Sequence, residues 1–232
     1  MSGPTNVLWY SSVAIQFLFC LHLFWTKLAK KHPVFTLYLA CAVLRSFVAM
    51  QFKPFSNGAL PRSYTYFWLW TEPVLLLLQI GIAFEVHAKL WKDNAAVARS
   101  ARPLLIFGLL TAVVFAALPM HAELRTLNRG ALAAVMQFEF LAKRYISTVL
   151  ATFLVLSAIL FLLVVHSSLK RAILRHEGML AAYFAIYSVC FLIVNVGWKP
   201  PILVNNYMLS ALTVCLVIWI SILRPVEEPA AA

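Results

Sequence analysis

The sequence predicts an all-α, polytopic membrane protein, a seven-helix bundle, and three observations carry that expectation. Hydrophobic residues make up 63% of the 232 positions and charged residues only 12%, about half the charged share of an ordinary soluble domain. Apolar runs of about 20 residues, the length a helix needs to cross a hydrocarbon core, recur along the whole chain. The runs are continuous and lack the alternation of barrel strands, and in lipid only helices and closed barrels satisfy their own backbone groups.

Bounded by charge, proline or loop residues, the runs cover 7–26, 34–52, 64–88, 104–118, 145–165, 179–198 and 202–223. The first is preceded by no Lys or Arg and followed by Lys27, Lys30 and Lys31, the reverse of a signal peptide. It is therefore expected to stay in the membrane with the N-terminus outside. The second carries Arg45. The third carries Glu72, followed by Pro73, which removes the backbone bond to the Leu69 carbonyl beside the carboxylate. The fourth lies between Pro103 and Pro119 and spans only ~22 Å, which reads as a thin or re-entrant element. The fifth follows Gln137, Glu139, Lys143 and Arg144, with Glu139 and Lys143 read as an exposed i,i+4 pair at the interface. The sixth carries Asn195, and the seventh Asn205, Asn206 and Tyr207.

Basic residues collect on cytoplasmic loops. With the N-terminus outside, the inner segments hold Lys27, Lys30, Lys31, Lys89, Lys92, Arg99, Arg102, Lys170, Arg171, Arg175 and Arg224. The outer segments hold Lys53, Arg62, Arg125, Arg129, Lys143, Arg144 and Lys199. The excess favours seven crossings, N-out and C-in. Trp9, Trp25, Trp91, Trp198 and Trp219 fall near span ends and read as interfacial belts. The formal charge of +11 is accounted for by this topology and by anionic lipids at the cytoplasmic face, without a nucleic-acid surface. Cys20, Cys41, Cys190 and Cys215 sit inside apolar runs without metal-ligand spacing and read as small buried thiols.

Ionisable residues within spans are costly and either paired or functional. Arg45 and Glu72 lie at matching depth in the outer half, about 10 and 12 Å from the outer span ends. Two readings stand: an ion pair joining two helices, or a polar site for ligand, ion or proton, with Asn195, Asn205, Asn206 and Tyr207 on the same side. Glu85 and Lys89 read as a helix-end pair. His22, His87 and His166 lie near inner span ends, where two facing imidazoles could ligate a b-type haem; no cofactor is assigned from this. Motifs of the HExxH, GxSxG, Walker A or dinucleotide-loop kind are absent, and no enzyme activity is expected. The last span has no lysine for a retinal Schiff base.

The aromatic run Tyr64-Thr65-Tyr66-Phe67-Trp68, Glu72, the sequence Phe84-Glu85-Val86 and the pattern from Asn206-Tyr207 to Trp219 resemble a group of bacterial seven-helix integral membrane proteins. The resemblance implies a multi-pass protein of the bacterial cytoplasmic (inner) membrane and attaches no activity to it. The tails and loops are short, so the sequence suggests a scaffold or receptor-like subunit acting through a membrane protein partner. The alternatives are a small transporter or ion or proton channel using Arg45 and Glu72, and a haem-bearing electron carrier.

Overall fold

The computed structural model describes residues 3–52, 61–125, 131–164, 171–198 and 201–222. The described chain is helical, with no strand: α1 (Gly3–Trp25), α2 (Leu28–Lys31), α3 (Pro33–Ala49), α4 (Arg62–Leu90), α5 (Ala95–Arg125), α6 (Ala131–Val164), α7 (Arg171–Asn195) and α8 (Pro201–Ile222). Six of them are long and apolar enough to cross a membrane, and Pro33–Ala49 is a shorter apolar helix. These helices identify the protein as a multi-pass helical membrane protein.

Local chemistry sets the turn between α1 and α3. The Thr26 hydroxyl donates to the His22 carbonyl at 2.6 Å, which also accepts the Thr26 backbone N–H at 3.0 Å. Lys27 then adopts the left-handed conformation with φ of 59° and turns the chain into α2. Pro33 opens α3, where its missing N–H is no loss. The cap comes from another helix: Glu85 of α4 accepts from the backbone N–H groups of Val34 and Phe35 at 3.0 and 3.3 Å. A carboxylate is favoured at this positive helix end. Glu85 also pairs with Lys89 at 2.5 Å, and Lys89 donates to the Lys31 carbonyl.

The helices close on themselves in chain order. α1 packs on α3 and α8, α3 on α4, α4 on α6 and α7, α5 on α6, α6 on α7, and α7 on α8. Phe19, Phe35 and Trp219 join α1, α3 and α8 in the interior, with Phe35 stacked on Trp219 at 4.7 Å and Phe19 edge-on to it at 5.7 Å. α3 and α4 approach closely at Gly81, where an added Cβ would lie 3.0 Å from Val34 Cγ1.

Paired residues fix the helix directions. Glu72 meets Lys143 and His87 meets Ser157, so α4 and α6 run parallel. α5 runs against α6, with Gly108 facing Val149 and Phe115 6.4 Å from Tyr145. The fourth apolar run is thus part of a continuous 31-residue helix with both prolines inside it, about 46 Å long. The short or re-entrant reading is corrected: each proline removes a single backbone bond without ending the helix.

α6 likewise begins before residue 145, and its apolar stretch is Val135–Leu163. Glu139 and Lys143 therefore lie within the bundle, because their charges are neutralised there. Two of the tryptophans are also displaced from the expected belts. Trp25 is 90% exposed and Trp198 73%, but Trp91 and Trp219 are buried. Each of the buried indoles has an interior acceptor, Ser157 Oγ at 3.1 Å for Trp91 and His176 Nδ1 at 2.9 Å for Trp219. Cys20 and Cys215 are buried, Cys41 and Cys190 half-buried, and all four are free thiols.

The contact at Gly81 yields a direct test of the packing. Gly81→Leu is expected to force α3 from α4 and lower stability by about 1–3 kcal/mol, measured by thermal unfolding in detergent.

Candidate functional site

The buried stripe of α4 includes Glu72, Leu75, Gln79, Ile82, Val86 and Leu90, the three-and-four spacing of a helix face turned to its neighbours. Polar residues occupy two of these interior positions, Glu72 and Gln79, and His87 is buried beside them. Each meets polar groups from facing helices.

The group nearest the N-terminal end of α4 is an ionic cluster. Arg45 Nη1 of α3 lies 2.5 Å from Glu72 Oε2, and Lys143 Nζ of α6 lies 2.5 Å from Glu72 Oε1. Lys143 is also 3.6 Å from Glu139 Oε1, and the indole N–H of Trp68 donates to the same Glu139 oxygen at 3.1 Å. Two cations and two carboxylates form a neutral set. Its interior members are dry, with Glu72 5% and Lys143 6% exposed. The Arg45 guanidinium lies 3.6 Å from the centroid of the Trp68 ring, and Lys143 lies over Trp68 and Phe191 at 5.2 and 5.5 Å. Such ring contacts favour a desolvated cation. Arg45 Nε and Nη2 are buried and have no hydrogen-bond partner.

The sequence-predicted pairing of Arg45 with Glu72 is present, but it is half of a larger arrangement. Lys143 and Glu139 belong inside this cluster, and their reading as an exposed interfacial pair is corrected. Glu72 has two oxygens, and each meets a different cation. Sequence spacing pointed to Glu139 and Lys143 as partners but carried no sign that their helix face turns inward. The Asn205, Asn206 and Tyr207 trio does not join the cluster: Tyr207 is 65% exposed, and Asn206 Oδ1 is buried without a partner. The side chain of Asn195 lies outside the described residues.

Beneath the cluster, two turns along α4, Gln79 Nε2 donates to the Tyr38 hydroxyl at 3.2 Å. Tyr38 and Tyr183 share a 2.7 Å hydroxyl contact, and Tyr183 donates to Tyr187 at 3.5 Å. A small cavity of about 10 Å³ adjoins this group, lined by residues that include Tyr38, Gln79, Tyr183 and Trp219, and apolar atoms face it. Trp219 donates to His176, whose ring lies 4.4 Å from that of His32. His32 in turn lies 3.3 Å from Lys89 Nζ through Nδ1. Burial first, then the charges of Lys89 and Lys31, hold the His32 imidazole well below its ordinary 6.5, at about 4.

Of the histidines considered as haem ligands, His87 is paired with Ser157 at 3.0 Å, while His22 sits on α1, which packs on α3 and α8. His166 lies outside the described residues. Among the described residues no group of three or more His, Cys, Asp or Glu is arranged to hold a metal ion.

No family model matches this chain, and neither a curated protein nor a solved structure does.

Glu72 neutralises two cations, so its loss is expected to be severe. Glu72→Leu should cost about 3–5 kcal/mol of stability, because Lys143 then keeps only Glu139 and Arg45 loses its carboxylate partner. Adding Arg45→Met to Glu72→Leu leaves the Lys143–Glu139 pair balanced and should recover a large part of that loss, read as a positive coupling in a double-mutant cycle of unfolding midpoints.

The buried His32 also sets a pH dependence. Its native value of about 4 lies below the ordinary 6.5, so the unfolded chain takes up the proton first. Stability should be full above pH 6.5 and fall as the pH is lowered toward 4, and His32→Gln should flatten that part of the unfolding profile.

Proposed function

We propose that this chain is a small proton-translocating membrane protein, a transporter or channel in which the Arg45, Glu72, Lys143 and Glu139 cluster forms the outer part of the proton path. The observation that carries the reading is the series of buried and half-buried polar side chains at successive depths of one bundle. It runs from the ionic cluster through Gln79, Tyr38, Tyr183 and Tyr187 to His176, His32 and Lys89. A structural ion pair needs no such continuation. Buried hydroxyls, imidazoles and carboxylates lined up along a bundle axis suit proton transfer, and intramembrane groups of this kind mark ion and proton pathways.

The reading includes the topology suggested by charge: seven crossings, with α3 as the second, N-out and C-in, in a bacterial cytoplasmic membrane. Lys143 lies inside the bundle, so it leaves the outer loops and widens the basic excess on the inner side. The receptor-like subunit is the second proposal, motivated by short loops and tested by copurification of a stoichiometric membrane partner.

Two measurements test the leading reading. In proteoliposomes with an internal pH dye and an imposed potential, the wild type should take up protons. Glu72→Gln and Tyr38→Phe should each slow uptake about tenfold or more; equal flux in protein-free vesicles would end the proposal. For topology, single cysteines at Lys30, Arg62 and Arg171 in a cysteine-free background should show labelling of intact cells by an impermeant reagent at position 62 alone. Labelling at 171 would overturn the seven-crossing order.

A further inference from the structure

The inner half of the bundle holds a carboxyl that the series above does not use. Glu177 of α7 is 0% exposed, and neither of its oxygens has a hydrogen-bond partner. Among the described residues no Lys or Arg forms an ion pair with it. An unpaired carboxylate is strongly disfavoured in such a setting, and a neutral carboxylic acid is the species that fits.

Its surroundings come from α4 and α6. The Ser157 hydroxyl of α6 stands beside the Glu177 carboxyl, off hydrogen-bonding geometry. Ser157 Oγ accepts the Trp91 indole N–H at 3.1 Å and lies 3.0 Å from His87 Nδ1. His87 Nε2 is buried and unpartnered. Among the described residues, titratable or charged groups near this site include His176, the chain neighbour of Glu177, His32, which faces His176, and Arg102 of α5, whose charge acts on His87.

A serine hydroxyl has one hydrogen and two acceptor lone pairs. Trp91 can only donate, so it takes one lone pair permanently. The hydrogen and the remaining lone pair are left for Glu177 and His87, and two arrangements use both. In one, Glu177 donates to Ser157 and Ser157 donates to His87 Nδ1. In the other, His87 Nδ1–H donates to Ser157 and Ser157 donates to a Glu177 oxygen.

We propose that Glu177, Ser157 and His87 form a proton-binding relay whose ligand is one exchangeable proton held on the Glu177 carboxyl. The role of the relay in translocation rests on the proton-translocating reading. Switching between the two arrangements moves that proton. The Glu177 O–H bond breaks as its hydrogen joins Ser157 Oγ, the original Ser157 hydrogen joins His87 Nδ1, and the products are a carboxylate and an imidazolium with no change in net charge. The imidazolium then carries a proton on each ring nitrogen, and the relay resets when the Nδ1 proton returns through Ser157 Oγ to the Glu177 carboxylate. A rotation of the Glu177 side chain makes or breaks the link to Ser157, which gives the relay an open and a closed state.

Infrared spectroscopy of the full chain in lipid nanodiscs tests this without any flux measurement. At neutral pH the wild type should show the carbonyl stretch of a protonated, buried carboxylic acid that shifts on transfer to deuterium oxide. The band should be absent in Glu177→Gln and displaced in Ser157→Ala, where Glu177 is intact but loses its relay partner. A spectrum of Glu177→Gln that retains the wild-type band overturns the assignment, and so does a band unmoved by Ser157→Ala. If Glu177→Gln fails to fold, isotope-labelled glutamate in the wild type and Ser157→Ala gives the same comparison. A band that behaves as expected in a protein without flux faults the transport reading; flux without the band faults the relay.

Discussion

The structure depends on the neutralisation of Glu72. A carboxylate in a dry bundle is tolerated when cations reach it and its remaining lone pairs are used, and here one cation comes from α3 and another from α6. Three helices are thereby held at fixed relative depth. The pairings farther along the same helices follow that register, Tyr38 against Gln79 and His87 against Ser157. In lipid, apolar contact between helices gains little over contact with acyl chains. Polar pairings therefore define which faces meet and at what height, and apolar packing fills the space between them.

The same constraint organises the C-terminal end of α4. Glu85 caps α3 through two backbone N–H groups and holds Lys89, which in turn reaches the turn at Lys31. A charge that would be costly in the membrane instead occupies the positive end of a neighbouring helix. The indole N–H groups of Trp91 and Trp219 follow the same logic, since each buried donor has an acceptor on another helix. Polar pairings thus recur at several depths of the bundle interior, with Glu177 as a buried carboxyl left unpartnered.

Some of this was legible in the sequence. Composition and the recurrence of apolar runs gave the helical membrane class, because hydrocarbon solvent tolerates few backbone solutions. Equal depth on consecutive helices gave the Arg45–Glu72 contact, and i,i+4 spacing gave Glu85–Lys89. Span limits were legible only where charge marks a true boundary. At Glu139 and Lys143 the charges lie inside a helix, and at Pro103 and Pro119 the prolines do, so reading either as a boundary shortened α6 and α5.

What the sequence determined by itself is the solvent: an apolar chain with sparse charge must present helices to lipid, and its few intramembrane ions must find partners. Tertiary structure alone decided which partners. Lys143 looks interfacial in a one-dimensional reading, and its role as second cation for Glu72 exists only because α4 and α6 run parallel with their polar faces turned together. The enclosure of Glu177 and its position beside Ser157 have the same origin, three helices meeting at a common depth. The physical reason is that local spacing fixes neighbours within a helix, whereas the choice of neighbour across helices depends on the packing of the whole bundle.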